Sequence, residues 1–534
     1  MRAKRVIALF AAALLLYSVV LGRLFITASN REYGQTAMAQ TVTTLTLSPR
    51  RGDFFDRNGN NLTGYGTEYY ALSIPSEGSY TRLFDYVSYR EQTLLYQRRN
   101  ATTPFLVQVS TDLTDQGIYT YARTGRYWPI PVAVHLLGYL DGDGNGVSGL
   151  ELTCNEQLSD SGGADYVQCI TNASGQLMEE QPPRLTETGT QANGVMLTLD
   201  LGIQRACEAI AQQTIQKGCI LVMERRTGRI LASSSMPVFD PDNVADSIEA
   251  NDTSLLNRPL CAFNVGSVFK PVMAALALEK DMGWFTWECT GSTEINGHVY
   301  HCAGNTAHGM VNLDSALTES CNCYFIQLGQ LLGGKAIQEI AARFGFGETQ
   351  TLAEGLSASA GNLPDANTLQ NKGQLAGISF GQGELLATPL QVLSMMNAIA
   401  NDGVFLDPSV LLGACTADGS RVIDPAEQTG QRKAISDSVA GRLQGILRRV
   451  VEEGTGRAAS EVPGGAAGKT GTAQTGRYAE DGTEIMDLWF AGWYPAEKPN
   501  YTILVLQDTA TNTLSSCTEI FAQVCQALYW LENS

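Results

Sequence analysis

At 534 residues the chain is too long for one hydrophobic core and requires two or three domains. Its 44% apolar and 17% charged content is that of a folded protein and excludes a disordered one. With 36 basic and 54 acidic residues the net charge is −18, so a polyanion is repelled and nucleic acid is excluded as a general partner.

In chain order, Arg2, Lys4 and Arg5 precede an uncharged stretch at 6–22 that Arg23 closes. At about 1.5 Å per residue this stretch reaches roughly 25 Å, the short end of what crosses a bilayer. A cleaved signal peptide has the same charge pattern. Ile26-Thr27-Ala28-Ser29 is a poor small-x-small cleavage site, however, so residues 1–26 are read as a cytoplasmic tip and an uncleaved anchor. Positive charge before the span keeps the N-terminus in the cytoplasm and puts the body of a single-pass protein outside the cell membrane.

Residues 27–190 read as a mixed, loop-rich region. Asn58-Gly59 is a hairpin-type turn between short apolar pieces, and 67–105 is polar and tyrosine-rich without clear periodicity. Asp141-Gly142-Asp143-Gly144-Asn145-Gly146 has the start of a calcium loop. Position twelve is Leu152 and Glu151 falls one residue early, so it is read as a glycine-rich turn. The Ser, Gly, Thr, Asn and Pro-Pro content of 171–193 marks a linker.

From 191 the texture changes. A strand at 195–199, an amphipathic helix at 202–217 and a hairpin of 219–224 and 229–234 around Thr227-Gly228 come first. Strands at 488–494 and 501–507 and a helix at 518–531 close the chain. Strands at both ends with a helical middle predict an α/β or α+β domain over 191–534, an antiparallel sheet flanked by helices.

Three motifs in this region carry chemistry. Ser267-Val268-Phe269-Lys270 opens an apolar helix, Ser320-Cys321-Asn322 follows, and Lys469-Thr470-Gly471-Thr472 leads into a strand. Each alone is weak, since an isolated Ser267 could be a helix cap and Lys270 a solvated residue. Their order and spacing together are specific. Residues three apart share a helix face, so Lys270 can take the proton of Ser267, provided burial and a positive neighbour such as Lys469 depress its pKa. The helix start leaves the Ser267 N–H free to bind an oxyanion. Ser320 is placed to relay a proton to a leaving amine and Asn322 to bind a substrate amide. Lys469, Thr470 and Thr472 suit a carboxylate, and Gly471 lets a substrate backbone lie against the strand. A phosphate loop is excluded because Pro463 stands where its first glycine belongs.

With these motifs the chain resembles a class B penicillin-binding protein from its anchor almost to its C-terminus. Arg51-Gly52 with Asp56-Arg57-Asn58-Gly59, Gly149-Leu150-Glu151, Thr198-Leu199-Asp200 with Ile203-Gln204, Gly381-Gln382-Gly383-Glu384 with Thr388-Pro389-Leu390-Gln391, Gly454-Thr455-Gly456 and Trp489-Phe490-Ala491-Gly492 carry the same resemblance. It implies the penicillin-binding transpeptidase fold over 191–534 and a non-catalytic, dimerisation-like pedestal over 27–190. The implied activity is D,D-transpeptidation. Ser267 attacks the penultimate D-Ala of a peptidoglycan stem peptide ending in D-Ala-D-Ala, and the acyl-enzyme passes to a neighbouring amine. The implied oxyanion hole is the N–H groups of Ser267 and Thr472. β-Lactams would acylate the same serine, and the implied partner is a membrane glycan polymerase of a division or elongation complex. The chemistry requires no cofactor. Val265 departs from the pattern, which usually has proline before Gly-Ser.

Cys207, Cys219 and Cys261 sit among apolar neighbours and read as small buried side chains. Cys289, Cys302, Cys321 and Cys323 share the stretch 289–323 with His298, His301 and His308. Thiolates and imidazoles are zinc ligands, and some members of the resembled family carry such a zinc. The preferred set is Cys302, His308 and Cys321, with Cys289 or a nearby carboxylate as the fourth, in a structural role. A Cys289–Cys302 disulfide and simple buried thiols are the alternatives.

Overall fold

A computed structural model describes residues 2–30, 42–75, 77–159, 163–172, 176–178, 181–189, 192–250, 252–427, 430–511 and 513–533. The linker expected at 171–193 lies partly outside them. The chain forms two compact units, one of Met1–Arg51, Tyr65–Gly125 and Ser159–Ala192, the other of Gly52–Gly64, Arg126–Leu158 and Asn193–Ser534.

The first unit begins with helix α1, Arg2–Ser29, of which Ala3–Ser29 is long and apolar enough to cross a membrane. Two three-stranded antiparallel sheets follow, in the orders Val42–Pro49, Ala164–Ile170, Arg184–Thr188 and Phe105–Val109, Thr67–Ser73, Thr120–Thr124. The strand Thr67–Ser73 lies in the stretch where the sequence shows no periodicity. Its adjacent residues Ala71 and Leu72 feed two different cores, one with Leu83 and Leu95 and the other with Leu47 and Val167. Burial on both faces erases the alternation by which a half-buried strand is recognised.

In the second unit, Arg126 ties the two early segments together. Its Nη1 donates to Asp53 at 2.9 Å and its Nε to the fully buried Glu151 at 2.7 Å. Breaking one partner of such a buried set leaves an uncompensated charge. Glu151 is thereby committed to Arg126, and Asp141 Oδ1 closes its own loop by accepting from the N–H groups of Asp143 and Asn145, each at 2.9 Å. The segment is the expected turn.

The centre of this unit is a five-stranded antiparallel sheet. Its strands are β1 (Gly218–Glu224), β2 (Ile230–Met236), β3 (Ala467–Tyr478), β4 (Glu484–Tyr494) and β5 (Tyr501–Ala510), in the order β2-β1-β5-β4-β3. Ile220, Val222, Phe490, Ile503 and Val505 pack on one face with Ile203, Cys207, Phe521 and Val524 of helices α2 (Leu201–Thr214) and α6 (Cys517–Asn533). The alternate residues Cys219, Leu221, Met223, Trp489 and Leu504 face a larger core around α3 (Lys270–Glu279), α4 (Asn322–Leu332) and α5 (Asp437–Glu452). The sheet is sandwiched between helical layers, which explains its continuous apolar strands. Cys207 and Cys219 are buried in these layers and Cys261 is half-buried. Among the described residues β3 is an edge strand, so one row of its backbone groups has no strand partner there.

Candidate active site

Ser267 lies in a 3-10 turn, Gly266–Phe269, that leads directly into α3. In such a turn residues three apart eclipse, which stacks Ser267 and Lys270. The turn packs on the edge strand closely enough to need two glycines. Gly266 has φ +64° and a Cβ there would stand 2.7 Å from Thr472 O, while a Cβ on Gly471 would stand 2.8 Å from Val268 Cγ1. Gly471 thus serves the contact between the Ser267 turn and the strand. Val265, where proline was expected, is fully buried and already helical (φ −86°, ψ −48°).

Lys270 is fully buried, and its Nζ donates to Ser320 O at 2.6 Å, Ser320 Oγ at 3.1 Å and Asn322 Oδ1 at 2.7 Å. Its hydrogen bonds therefore run to the second motif and not to Ser267 Oγ. Burial pushes the Lys270 ammonium down to about 7. Lys469, also fully buried, donates from Nζ to Ser320 Oγ and Thr470 O, each at 3.0 Å, and to Thr470 Oγ1 at 3.2 Å. Burial, and then the charge of Lys270, push it well below the usual lysine range. The Ser320 hydroxyl thus bridges two amines whose mutual repulsion disfavours protonating both. That is a route for a proton between them.

Ser320 is held in the left-handed region, φ +58°. Asn322 opens α4, and its Nδ2 donates to His301 O at 2.9 Å, leaving a second N–H for a ligand. Thr472 O accepts weakly from Gln382 Nε2 at 3.5 Å, so this residue's backbone faces away from β4. In an antiparallel strand the N–H and C=O of a residue point to the same side, so the Thr472 N–H also faces outward. All three motifs meet here.

Sequence reasoning did not single out Asp487. Its carboxylate is almost fully buried and accepts from Asn264 N at 3.2 Å, Asn264 Nδ2 at 3.3 Å and Thr509 N at 3.3 Å. Burial raises its pKa, and it braces the segment that runs into Ser267. An isolated aspartate before an apolar run gives no signal of this. Only its neighbours in space do.

The thiol cluster lies directly behind the second motif. The ligand atoms of Cys289, Cys302, His308 and Cys321 are all within 4.8 Å of one another. Cys289 Sγ stands 3.7 Å from Cys302 Sγ and 3.4 Å from His308 Nδ1, and Cys302 Sγ stands 3.8 Å from Cys321 Sγ. Zinc bonds of about 2.3 Å to sulfur and 2.0–2.1 Å to nitrogen at tetrahedral angles give edges of about 3.8 and 3.5 Å. The donor set fits that ion, with Cys289 in the fourth position. His298 and His301 lie on a neighbouring hairpin outside the group, and Cys323 Sγ is 3.5 Å from Cys302 Sγ. Cys289 and Cys302, the alternative disulfide pair, are free thiols here.

A serine opening a helix, backed by two buried lysines around a second serine, is the arrangement of a serine acyl-transfer enzyme. Residues 218–526 match the penicillin binding protein transpeptidase domain, and the chain belongs to that family. It is 25% identical to stage V sporulation protein D of Bacillus subtilis over 90% of this chain and 79% of that protein. It is equally 25% identical to the peptidoglycan D,D-transpeptidase MrdA of Escherichia coli, over 88% of this chain and 84% of the other. Among solved structures, penicillin binding protein 3 of Mycobacterium tuberculosis with ampicillin shares the fold (TM-score 0.65, 23% identity, 92% of this chain and 96% of that one).

Proposed function

We propose that the chain is a peptidoglycan D,D-transpeptidase that cross-links stem peptides through an ester on Ser267. The observation that carries this is the Ser320 hydroxyl held between Lys469 and Lys270, the lysine one turn on from Ser267. Ser267 Oγ attacks the carbonyl of the penultimate D-Ala and gives its proton to neutral Lys270. The N–H groups of Ser267 and Thr472 receive the negative charge on the carbonyl oxygen. The amide C–N bond breaks as Ser320 protonates the departing D-Ala amine and regains a proton from Lys270, which returns to its neutral form. An amine of a neighbouring strand then attacks the ester and restores the Ser267 hydroxyl. Lys469, Thr470 and Thr472 hold the substrate carboxylate, and Asn322 holds a backbone amide. A β-lactam follows the first half only, because its leaving nitrogen stays tethered and blocks the acceptor.

In this reading residues 191–534 carry the transpeptidase domain, with Gly52–Gly64 and Arg126–Leu158 belonging to the same compact unit, and the remainder of 27–190 is a non-catalytic pedestal. Helix α1 is the single membrane anchor, Arg2, Lys4 and Arg5 staying in the cytoplasm and the body outside the cell membrane. The partner is a membrane glycan polymerase. The test is the acyl-enzyme's lifetime: benzylpenicillin is expected to add its mass to the peptide containing Ser267 and to remain for hours. Hydrolysis within seconds would assign a β-lactamase instead.

Cys289, Cys302, His308 and Cys321 hold a structural zinc in the same reading. The ion supplies a cross-link that fixes Cys321 between Ser320 and Asn322, and no catalytic step uses it. Protein purified without chelator is expected to contain about one equivalent of zinc, and removing it should lower the melting temperature. Less than about a tenth of an equivalent, with Cys289 and Cys302 oxidised, would replace the zinc by the disulfide.

A further inference from the structure

The strand that carries Lys469 and Thr470 has a hydroxyl partner outside the three motifs. Thr455, in the Gly454-Thr455-Gly456 turn after α5, holds its Oγ1 2.8 Å from Thr470 Oγ1. Lys469 Nζ donates to the same Thr470 oxygen at 3.2 Å. A hydroxyl carries one proton. If Thr455 donates to Thr470, the Thr470 proton is free; if Thr470 donates, the Thr455 proton is free. In both cases the pair keeps one O–H to offer a ligand. Thr455 is exposed and Thr470 half-buried, so the free donor is open to solvent.

The turn also sets the spacing of the site. Thr455 N–H reaches Thr318 O at 3.4 Å, two residues before Ser320, and Gly456 N–H donates to Val450 O at 2.8 Å. Gly454 has no room for a side chain, since a Cβ there would stand 2.5 Å from the same Thr318 carbonyl. One turn therefore touches both the segment leading to Ser320 and the strand carrying Lys469.

We propose that Thr455 is a specificity-determining residue, forming with Thr470 the hydroxyl part of the substrate carboxylate site beside Lys469 Nζ. This rests on the transpeptidase reading above. Losing one donor to a carboxylate weakens its recognition by roughly ten- to a hundredfold. An uncharged ester, which draws less from the same hydroxyl, is affected less.

The experiment compares acylation of the full-length, detergent-solubilised protein by benzylpenicillin and by its methyl ester, for the parent, Thr455→Val and Thr455→Ser. The acid-to-ester ratio of second-order acylation rates is expected to fall roughly tenfold or more in Thr455→Val. The loss should lie in the apparent binding constant, with the limiting rate nearly unchanged, and Thr455→Ser should restore the ratio. An unchanged ratio, an equal loss for acid and ester, or a serine variant that behaves like valine overturns the assignment. Those outcomes leave parental acylation at Ser267 intact. Failure of the parent to form any adduct at Ser267 overturns the transpeptidase reading, and this one with it.

Discussion

Replacing Ser267 by alanine is expected to abolish covalent labelling by a fluorescent penicillin while leaving the melting temperature nearly unchanged. Removing the nucleophile removes the acyl-enzyme altogether, a loss of roughly 10⁴–10⁶-fold in enzymes that form one. The fold should tolerate the change. Ser267 is half-buried, and the turn around it is fixed by Gly266 N–H, which donates to Gly381 O at 2.7 Å, and by the packing of Val268 and Phe269. Ser320 is the other serine at the site, and its hydroxyl is occupied by Lys270 and Lys469. Labelling of Ser267→Ala at the parental rate would move the nucleophile elsewhere. Peptide mapping of the adduct would then show whether Ser320 carries it.

The second large effect is expected at Lys270. Lys270→Ala should slow acylation by roughly 10²–10⁴-fold, the range of a positioned proton transfer. The pH profile separates a base from a merely structural lysine. A base works in its neutral form, and burial brings Lys270 to about 7. Parental acylation should therefore climb with pH through about 7 and level off above it. Below that point it should fall by on the order of tenfold per pH unit, as the neutral fraction does. The Lys270→Ala residue of activity should lack this rise. A parental profile that is flat between about pH 5.5 and 8.5, or a variant that keeps the rise, would shift the base to Lys469. That lysine is likewise pushed down by burial and shares the Ser320 hydroxyl.

Much of the sheet was legible because its strands are apolar runs with turn residues between them. The expected pieces at 219–224, 488–494 and 501–507 lie within β1, β4 and β5, and the closing helix within α6. Boundaries drifted where tertiary pairing extends an element. β4 begins at Glu484 and β5 runs to Ala510, because both pair beyond their apolar centres. The first unit was legible least. Ala71 and Leu72 face separate cores, and no periodic signal survives that.

The class of chemistry was readable from the chain alone, through residue types at a set spacing. Ser267 and Lys270, three apart, share one face by local helical geometry, and the identities of Lys469, Cys302, Cys321 and His308 state which ions and protons each can hold. The partners those residues take follow from packing across the fold. Lys270 bonds Ser320 and Asn322, Gly471 admits Val268, and Cys289 completes the thiol group in place of a carboxylate. Thr455 and Asp487 reach the site solely through contacts that span the fold. The physical reason is the range of the forces. Secondary structure follows from neighbours a few residues apart, whereas desolvation of a lysine and convergence of three thiols and an imidazole depend on groups that only packing brings together.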